Sequence, residues 1–267
     1  MHYIPMYEIF SQYPIAFWIS ALASVILIGI SKAGFGAGVG VIATPLMALT
    51  IPTAEAAALL LPILIISDFM AIRQYRARFD RHNLMVMIPG AVAGIAIGWF
   101  FFGYFRGNER ILKIGIGLLA LAFVSFQLGH ARLVGVIKER KPNVGEGLFW
   151  GTLSGFTSTL AHVGSPPAMV YLLPQNLPRD IYVGTTIYFF TITNLVKLIP
   201  YAQLNLLHVG NMTVVLILLP VSFLGVKLGF LLNQRCSDKW FNRLIYGLLF
   251  LTGIQLLFGI DIVSILK

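Results

Sequence analysis

Apolar stretches recur along the whole chain and set its organisation. They fall near residues 15–31, 41–50, 56–72, 84–105, 111–129, 148–161, 166–174, 183–201, 212–232 and 244–260. Most suit a helix that crosses a hydrocarbon core of roughly 30 Å. Three are too short: residues 41–50 make a helix of about 15 Å, 148–161 about 21 Å and 166–174 about 14 Å. The connectors at 73–82, 106–113, 130–147 and 233–243 hold most of the lysine and arginine.

Composition turns this pattern into a class. The chain is 58% hydrophobic and only 11% charged, with a mean hydropathy of +0.85. A soluble domain carries about 25% charged residues, so the expectation is an all-α, polytopic membrane protein. The first apolar run has no lysine or arginine before it and no small-residue cleavage site, so it reads as structure rather than as a signal peptide. A net charge of +9 would suggest nucleic acid in a soluble protein, but here the basic residues flank apolar runs and orient them in the lipid bilayer. A single cysteine, Cys236, excludes an internal disulfide and a cysteine-cluster metal site; no metal or other cofactor is expected.

The chain also repeats itself. "AGFGAGVGVIATP" from residue 33 aligns with "SGFTSTLAHVGSPP" from 154, which pairs Gly34 with Gly155 and Pro45 with Pro166. Asp68 and Tyr75 then align with Asn194 and Tyr201, and Pro89, Gly94 and Gly98 with Pro220, Gly225 and Gly229. Lys113 and the "GLL" from Gly117 match Arg243 and the "GLL" from Gly247. Blocks recurring in one order predict two homologous transmembrane repeats, 1–135 and 148–267, joined by a basic linker at 136–147.

Charge decides how the repeats are oriented. If the first segment of each half spans the membrane, the halves are parallel and the loop cations divide evenly, which gives no orientation. If 15–50 and 148–174 are instead re-entrant hairpins, each half has a broken hairpin plus three spans and the second half is inverted. One side then collects Arg73, Arg76, Arg78, Arg81, Arg132, Lys138, Arg140, Lys141, Arg179, Arg235, Lys239 and Arg243, against Arg106, Arg110, Lys113 and Lys267 on the other. The positive-inside rule selects the inverted arrangement, with the linker cytoplasmic and the N-terminus outside.

This arrangement explains "SKAGFGAGVGVIATP" at 31–45, where four glycines and a lysine interrupt an apolar stretch. Irregular backbone at membrane depth is tolerated where it lines a watery cavity. Short helices are expected after each tip, near Val41 and near Pro166, with their N-termini facing that cavity. Gly34, Gly36 and Gly38 let backbone amides approach a ligand. Two such tips meeting near the midplane make an anion site, and Lys32 offsets the negative C-terminal ends of the first hairpin arms.

Further candidates lie near the second tip. His162 adjoins it, either as a hydrogen-bonded structural residue or as a group that binds the ligand or a proton. Ser165, before Pro166 and Pro167, suits an N-cap. Lys197, one turn past Asn194, is either a site cation or a lysine that snorkels toward a helix end, and Lys227 is expected to snorkel. Asp68 is expected to pair with a basic group, with Lys197 across the repeat axis as the candidate, or to take part in ion coupling. Thr185, Thr186, Tyr171 and Asn194 are candidate polar lining. Glu55 and Glu146 suit helix starts.

At "GISKAGFGAGVGVIATPLM" and "GTLSGFTSTLAHVGSPPAMVYLLPQNLPRDIYVGTTIYFFTITNLVKLIPY" the chain resembles the TauE/SafE sulfite exporter family. The family shows a glycine-rich "GFGGG" run followed by a proline, then "GxGGPP…YLL" and "GT…N…K…Y". Ala37 and Ser165 stand where glycine is usual. The resemblance covers nearly the whole chain and implies a cytoplasmic-membrane transporter of small sulfur-containing anions such as sulfite, sulfoacetate or other organosulfonates, usually exporting them. It implies a substrate role for Gly34, Gly36, Gly38, Gly164, Pro166, Pro167, Thr185, Asn194 and Lys197, and its terminal tyrosine falls on Tyr201.

The leading expectation is therefore a secondary transporter. No "GxxxxGK[ST]" occurs, which argues against ATP hydrolysis within the chain. An anion channel that uses the same tips as a filter is the alternative. An intramembrane enzyme built on His162 and Ser165 ranks last, because no third orienting group accompanies them. Proton or ion coupling and a homo-oligomer stay open, as do the substrate and the direction of transport.

Overall fold

The computed structural model describes residues 13–32, 39–105, 107–133, 141–207, 209–235 and 238–259. Among them every regular element is a helix. In chain order these are α1 (Ile15–Ile30), a 3₁₀ turn at Val39–Ile42, α2 (Ala43–Met47), α3 (Thr53–Gln74), α4 (Arg81–Phe105), α5 (Glu109–Leu133), α6 (Val144–Ala161), α7 (Ser165–Leu172), a 3₁₀ turn at Leu173–Gln175, α8 (Arg179–Gln203), α9 (Val209–Arg235) and α10 (Asp238–Phe258). Five helical stretches are long and apolar enough to cross a membrane: Thr53–Arg73, Arg81–Phe105, Glu109–Gly129, Arg179–Gln203 and Met212–Gly229. Ile15–Ile30 and Ile245–Phe258 are shorter apolar helices.

Local chemistry fixes the helix starts. Asn143 caps α6 by accepting the Glu146 N–H, and the Asp80 carboxylate accepts the Asn83 N–H at the head of α4. Pro52 and Pro178 stand at the N-caps of α3 and α8, and Glu55 and Asp180 occupy their first turns, where an acidic group meets the positive helix end. Glu55 also accepts from the Tyr13 hydroxyl at 2.6 Å, and Glu109 accepts from both the N–H and the hydroxyl of Thr53.

The second expected interruption is present, and the first tip, at 33–38, lies outside the described residues. After α1 the backbone widens into a π turn at Ser31 and Lys32, and the next described residues form the short Val39–Ile42 turn and α2. α6 stops at His162, whose backbone is left-handed (φ 55°), and α7 restarts at Ser165. α6 begins at Val144, four residues ahead of the expected 148.

Small residues set the closest helix contacts. α4 packs on α6 through Gly90 against Leu148, Gly94 against Thr152, Gly151 against Met87 and Gly155 against Ala91; a methyl group on Gly94 would run into the Thr152 carbonyl oxygen. Such close approach gives membrane helices the dispersion contacts that water exclusion supplies in soluble proteins. The partners advance together, 90 with 148 and 94 with 152, so the two helices run parallel. α1 meets α9 in the same manner, through Gly29 and Gly225.

Two other pairs run antiparallel. Gly117 of α5 lies against Gly253 and Leu257 of α10, while Gln127 bonds Tyr246. Asp68 of α3 meets Asn194 of α8, while Arg78, just beyond α3, meets Gly184 and Asp180. Exchanging α1–α5 for α6–α10 maps the α4–α6 contact on the α9–α1 contact, and α3–α9 on α8–α4. The exposed large apolar side chains, among them Ile97, Phe100, Ile199, Leu216 and Leu251, face outward where a bilayer would meet them.

Candidate functional site

A cavity of about 320 Å³ opens along the first half of α8. Arg179, Tyr182 and Tyr75 line its mouth, and Arg179 is exposed at the first position of α8. Farther in, Val183, Thr186, Ile187 and Phe190 form one wall, with Ile28, Val41 and Leu64 opposite. Its polar inner lining is Ser31, Lys32, Ser158, His162, Ser165 and Asn194. From Arg179 to Asn194 the helix rises about 22 Å, so the cavity reaches well into the membrane-spanning bundle. Ser31, Lys32 and Gly40 contribute to it from the first half, and Ser158, His162 and Ser165 from around the break between α6 and α7.

Two linked polar clusters form the inner end. Asp68, fully buried on α3, pairs with the Lys32 ammonium through Oδ1 and accepts the Asn194 Nδ2–H through Oδ2 at 2.7 Å. Lys197, one turn beyond Asn194 and fully buried, donates to the Ser158 carbonyl at 3.1 Å, the Ser158 hydroxyl at 2.9 Å and His162 Nδ1 at 2.8 Å. His162 Nε2 lies 2.9 Å from the Ala57 carbonyl oxygen and so carries the ring hydrogen, which leaves Nδ1 as the acceptor for Lys197. The ring is thus a neutral bridge between α3 and α8. A non-glycine residue in the left-handed region costs about 1–3 kcal/mol and persists where its surroundings fix it, as these two ring bonds do here.

The charge count follows. Lys32 and Lys197 face one carboxylate, Asp68, and Asp68 acts electrostatically on Lys197 as well. Among the described residues this cluster sets two lysines against one carboxylate, next to a cavity whose mouth bears Arg179. In a low-polarity setting each cation in it acts strongly on an anion.

Lys32, His162, Ser165 and Asn194 line the cavity, and Lys197 stands directly behind them. The expected Asp68–Lys197 ion pair is not what forms: Asp68 takes Lys32 and Asn194, and Lys197 is saturated by Ser158 and His162. Thr185 turns away from the cavity, accepting the Asp80 N–H and donating to the Ile181 carbonyl, while its neighbour Thr186 lines it. Ser165 is the first residue of α7 rather than its cap; Gly164 is the cap, packed among Ser154, Ser158 and Phe190. Pro166 and Pro167 follow, and neither has an N–H, so this helix end offers a ligand fewer donors than expected. Gly34, Gly36 and Gly38 lie outside the described residues. Lys227 is exposed, as expected of a snorkelling lysine.

Tyr201 is fully buried and donates to the Thr159 carbonyl at 2.7 Å, with Phe102 edge-on against it. It packs the bundle beyond Lys197. Tyr75, its counterpart in the sequence repeat, lines the open mouth instead. Ser158 was not anticipated, although it stands four residues before His162 and so shares its helix face. Arg179 enters the sequence reading only as a cation of the basic side, and Tyr182 has no role in it.

Fold and cavity together define a multi-pass helical membrane protein with an internal pocket lined by Lys32 and Arg179. The chain belongs to the family described as Sulfite exporter TauE/SafE, whose profile it matches over residues 21–256. It is accordingly a transporter of the sulfite exporter type and not an enzyme. No curated protein and no solved structure gives a significant match.

Proposed function

We propose that this protein is a secondary exporter, in the cytoplasmic membrane, of small sulfur-containing anions such as sulfite, sulfoacetate or related organosulfonates. The observation that carries the reading is the polar inner end of the cavity, where Lys32 lines the wall beside Asp68 and Lys197 stands directly behind, two lysines to one carboxylate among the described residues. A tetrahedral or pyramidal oxyanion offers several acceptors, which suits the Lys32 ammonium, the Asn194 amide and the hydroxyls of Ser158 and Ser165. Ser165, where the family resemblance leads one to expect glycine, adds a hydroxyl to the lining of the cavity.

The same reading takes the two halves as inverted repeats, with the N-terminus outside and the cavity mouth on the basic, cytoplasmic face. The antiparallel course of α5 against α10 and of α3 against α8 supports it, since corresponding helices of inverted halves point in opposite directions. Buried Tyr201, past the inner end, favours a carrier that opens to one side at a time over a channel. The test is flux of labelled sulfite and sulfoacetate in proteoliposomes under an imposed pH gradient. Saturable flux that accumulates substrate supports a coupled carrier; downhill flux without saturation or exchange supports the channel, and no flux above protein-free vesicles rejects the proposal.

A further inference from the structure

Lys32 is the only cation that lines the inner end of the cavity among the described residues, yet it is already occupied by Asp68. Its side chain keeps 18% of its surface exposed, whereas the Asp68 side chain keeps none. An anion entering the cavity therefore meets the ammonium from the open side while the carboxylate holds it from the closed side. Asp68 has a second anchor, the Asn194 amide, and a second lysine, Lys197, one turn farther along the same helix as Asn194. It can release Lys32 without being left as an isolated buried charge, which would be prohibitive.

We propose that Asp68 is an internal counter-ion that the transported anion displaces from Lys32, so that the empty site is closed upon itself and binding is an exchange of one anion for another. The proposal rests on the anion-transport reading above. Its consequence for selectivity is direct: only an anion that outcompetes a fixed, desolvated carboxylate for the ammonium enters the site, which disfavours weakly basic, diffuse anions. Its consequence for motion follows from the fold. Lys32 follows directly on α1 and Asp68 sits on α3, so the exchange unties the end of α1 from α3 when substrate arrives.

The exchange predicts an effect opposite in sign to the one expected of a substrate ligand or of a merely structural carboxylate. The full-length protein, purified in detergent, is titrated with ³⁵S-labelled sulfite, and separately with sulfoacetate as competitor, in low-chloride buffer. Asp68→Asn keeps the shape and frees Lys32, so affinity should rise tenfold or more while turnover in proteoliposomes falls. Lys32→Gln should weaken binding tenfold or more. In the Lys32→Gln background, adding Asp68→Asn should change affinity less than threefold. An equal gain from Asp68→Asn with and without Lys32 would mean that the carboxylate acts only through the general field, and it overturns the exchange. Unchanged or weaker binding in Asp68→Asn, at a melting temperature close to that of the native protein, overturns it too. A loss of folding in Asp68→Asn that Lys32→Gln restores would make the pair a structural clasp, again against the exchange. If neither anion binds the native protein or any variant, the sulfur-anion reading fails first and the exchange falls with it, an outcome distinct from the other three.

Discussion

His162 joins backbone strain to the buried lysine, and truncating it in two ways separates the contributions. His162→Ala removes the ring bond to the Ala57 carbonyl and the acceptor for Lys197 but keeps a Cβ in the left-handed conformation. A neutral hydrogen bond contributes about 0.5–1.5 kcal/mol and one to a charged group about 1.5–3, so the alanine variant should lose about 2–4 kcal/mol. His162→Gly loses the same two bonds and also relieves the left-handed residue, which costs an L-amino acid about 1–2 kcal/mol. The glycine variant should therefore be the more stable of the two by about 1–2 kcal/mol while still falling below the native protein. Equilibrium unfolding of the three proteins in one detergent measures the order. An alanine variant as stable as the glycine variant would refute the left-handed assignment. A native protein no more stable than His162→Gly would refute the contribution of the ring bonds.

Other expectations follow from the same geometry. Gly94→Ala places a methyl group on the Thr152 carbonyl and should abolish the folded protein or lower its melting temperature sharply, whereas Gly115→Ala and Gly247→Ala meet open space and should be neutral or slightly stabilising, read as yield of monodisperse protein and thermal stability. Tyr201→Phe removes only the hydroxyl bond to Thr159, so it should cost about 0.5–1.5 kcal/mol in unfolding free energy and leave sulfite affinity unchanged. Arg179→Gln at the mouth should slow anion entry several-fold at low salt with a smaller effect at high salt, measured as the initial rate of flux against ionic strength.

The order of elements was readable from hydrophobicity alone, because each apolar run coincides with a described helix and each short run with one arm of an interruption. The Ser165–Pro166–Pro167 step marked where a helix restarts after the break at His162, since proline acts locally. Contacts between distant residues were less accessible. Asp68 was assigned the wrong lysine because the position of Lys32 depends on a π turn at the end of α1, which no spacing rule reports. Thr185 and Thr186 are neighbours about 100° apart on a helix, so their opposite orientations depend on how α8 is rotated in the bundle. Ser158 could have been found from its i, i+4 relation to His162. The part played by Arg179 depends on the mouth formed by Tyr75 and Tyr182, which only the packing of α3 beside α8 creates.

The central claim is that a cation-lined cavity carries small sulfur-containing anions across the membrane by a carrier mechanism centred on Lys32. The most direct measurement is counterflow: proteoliposomes loaded with unlabelled sulfite are diluted into trace ³⁵S-sulfite, with native protein and with Lys32→Gln. The account predicts a transient, saturable accumulation of label with the native protein and its loss in Lys32→Gln at an unchanged amount of folded protein. Native protein that gives no accumulation above protein-free vesicles, or a Lys32→Gln variant that accumulates label as well as the native chain does, would contradict it.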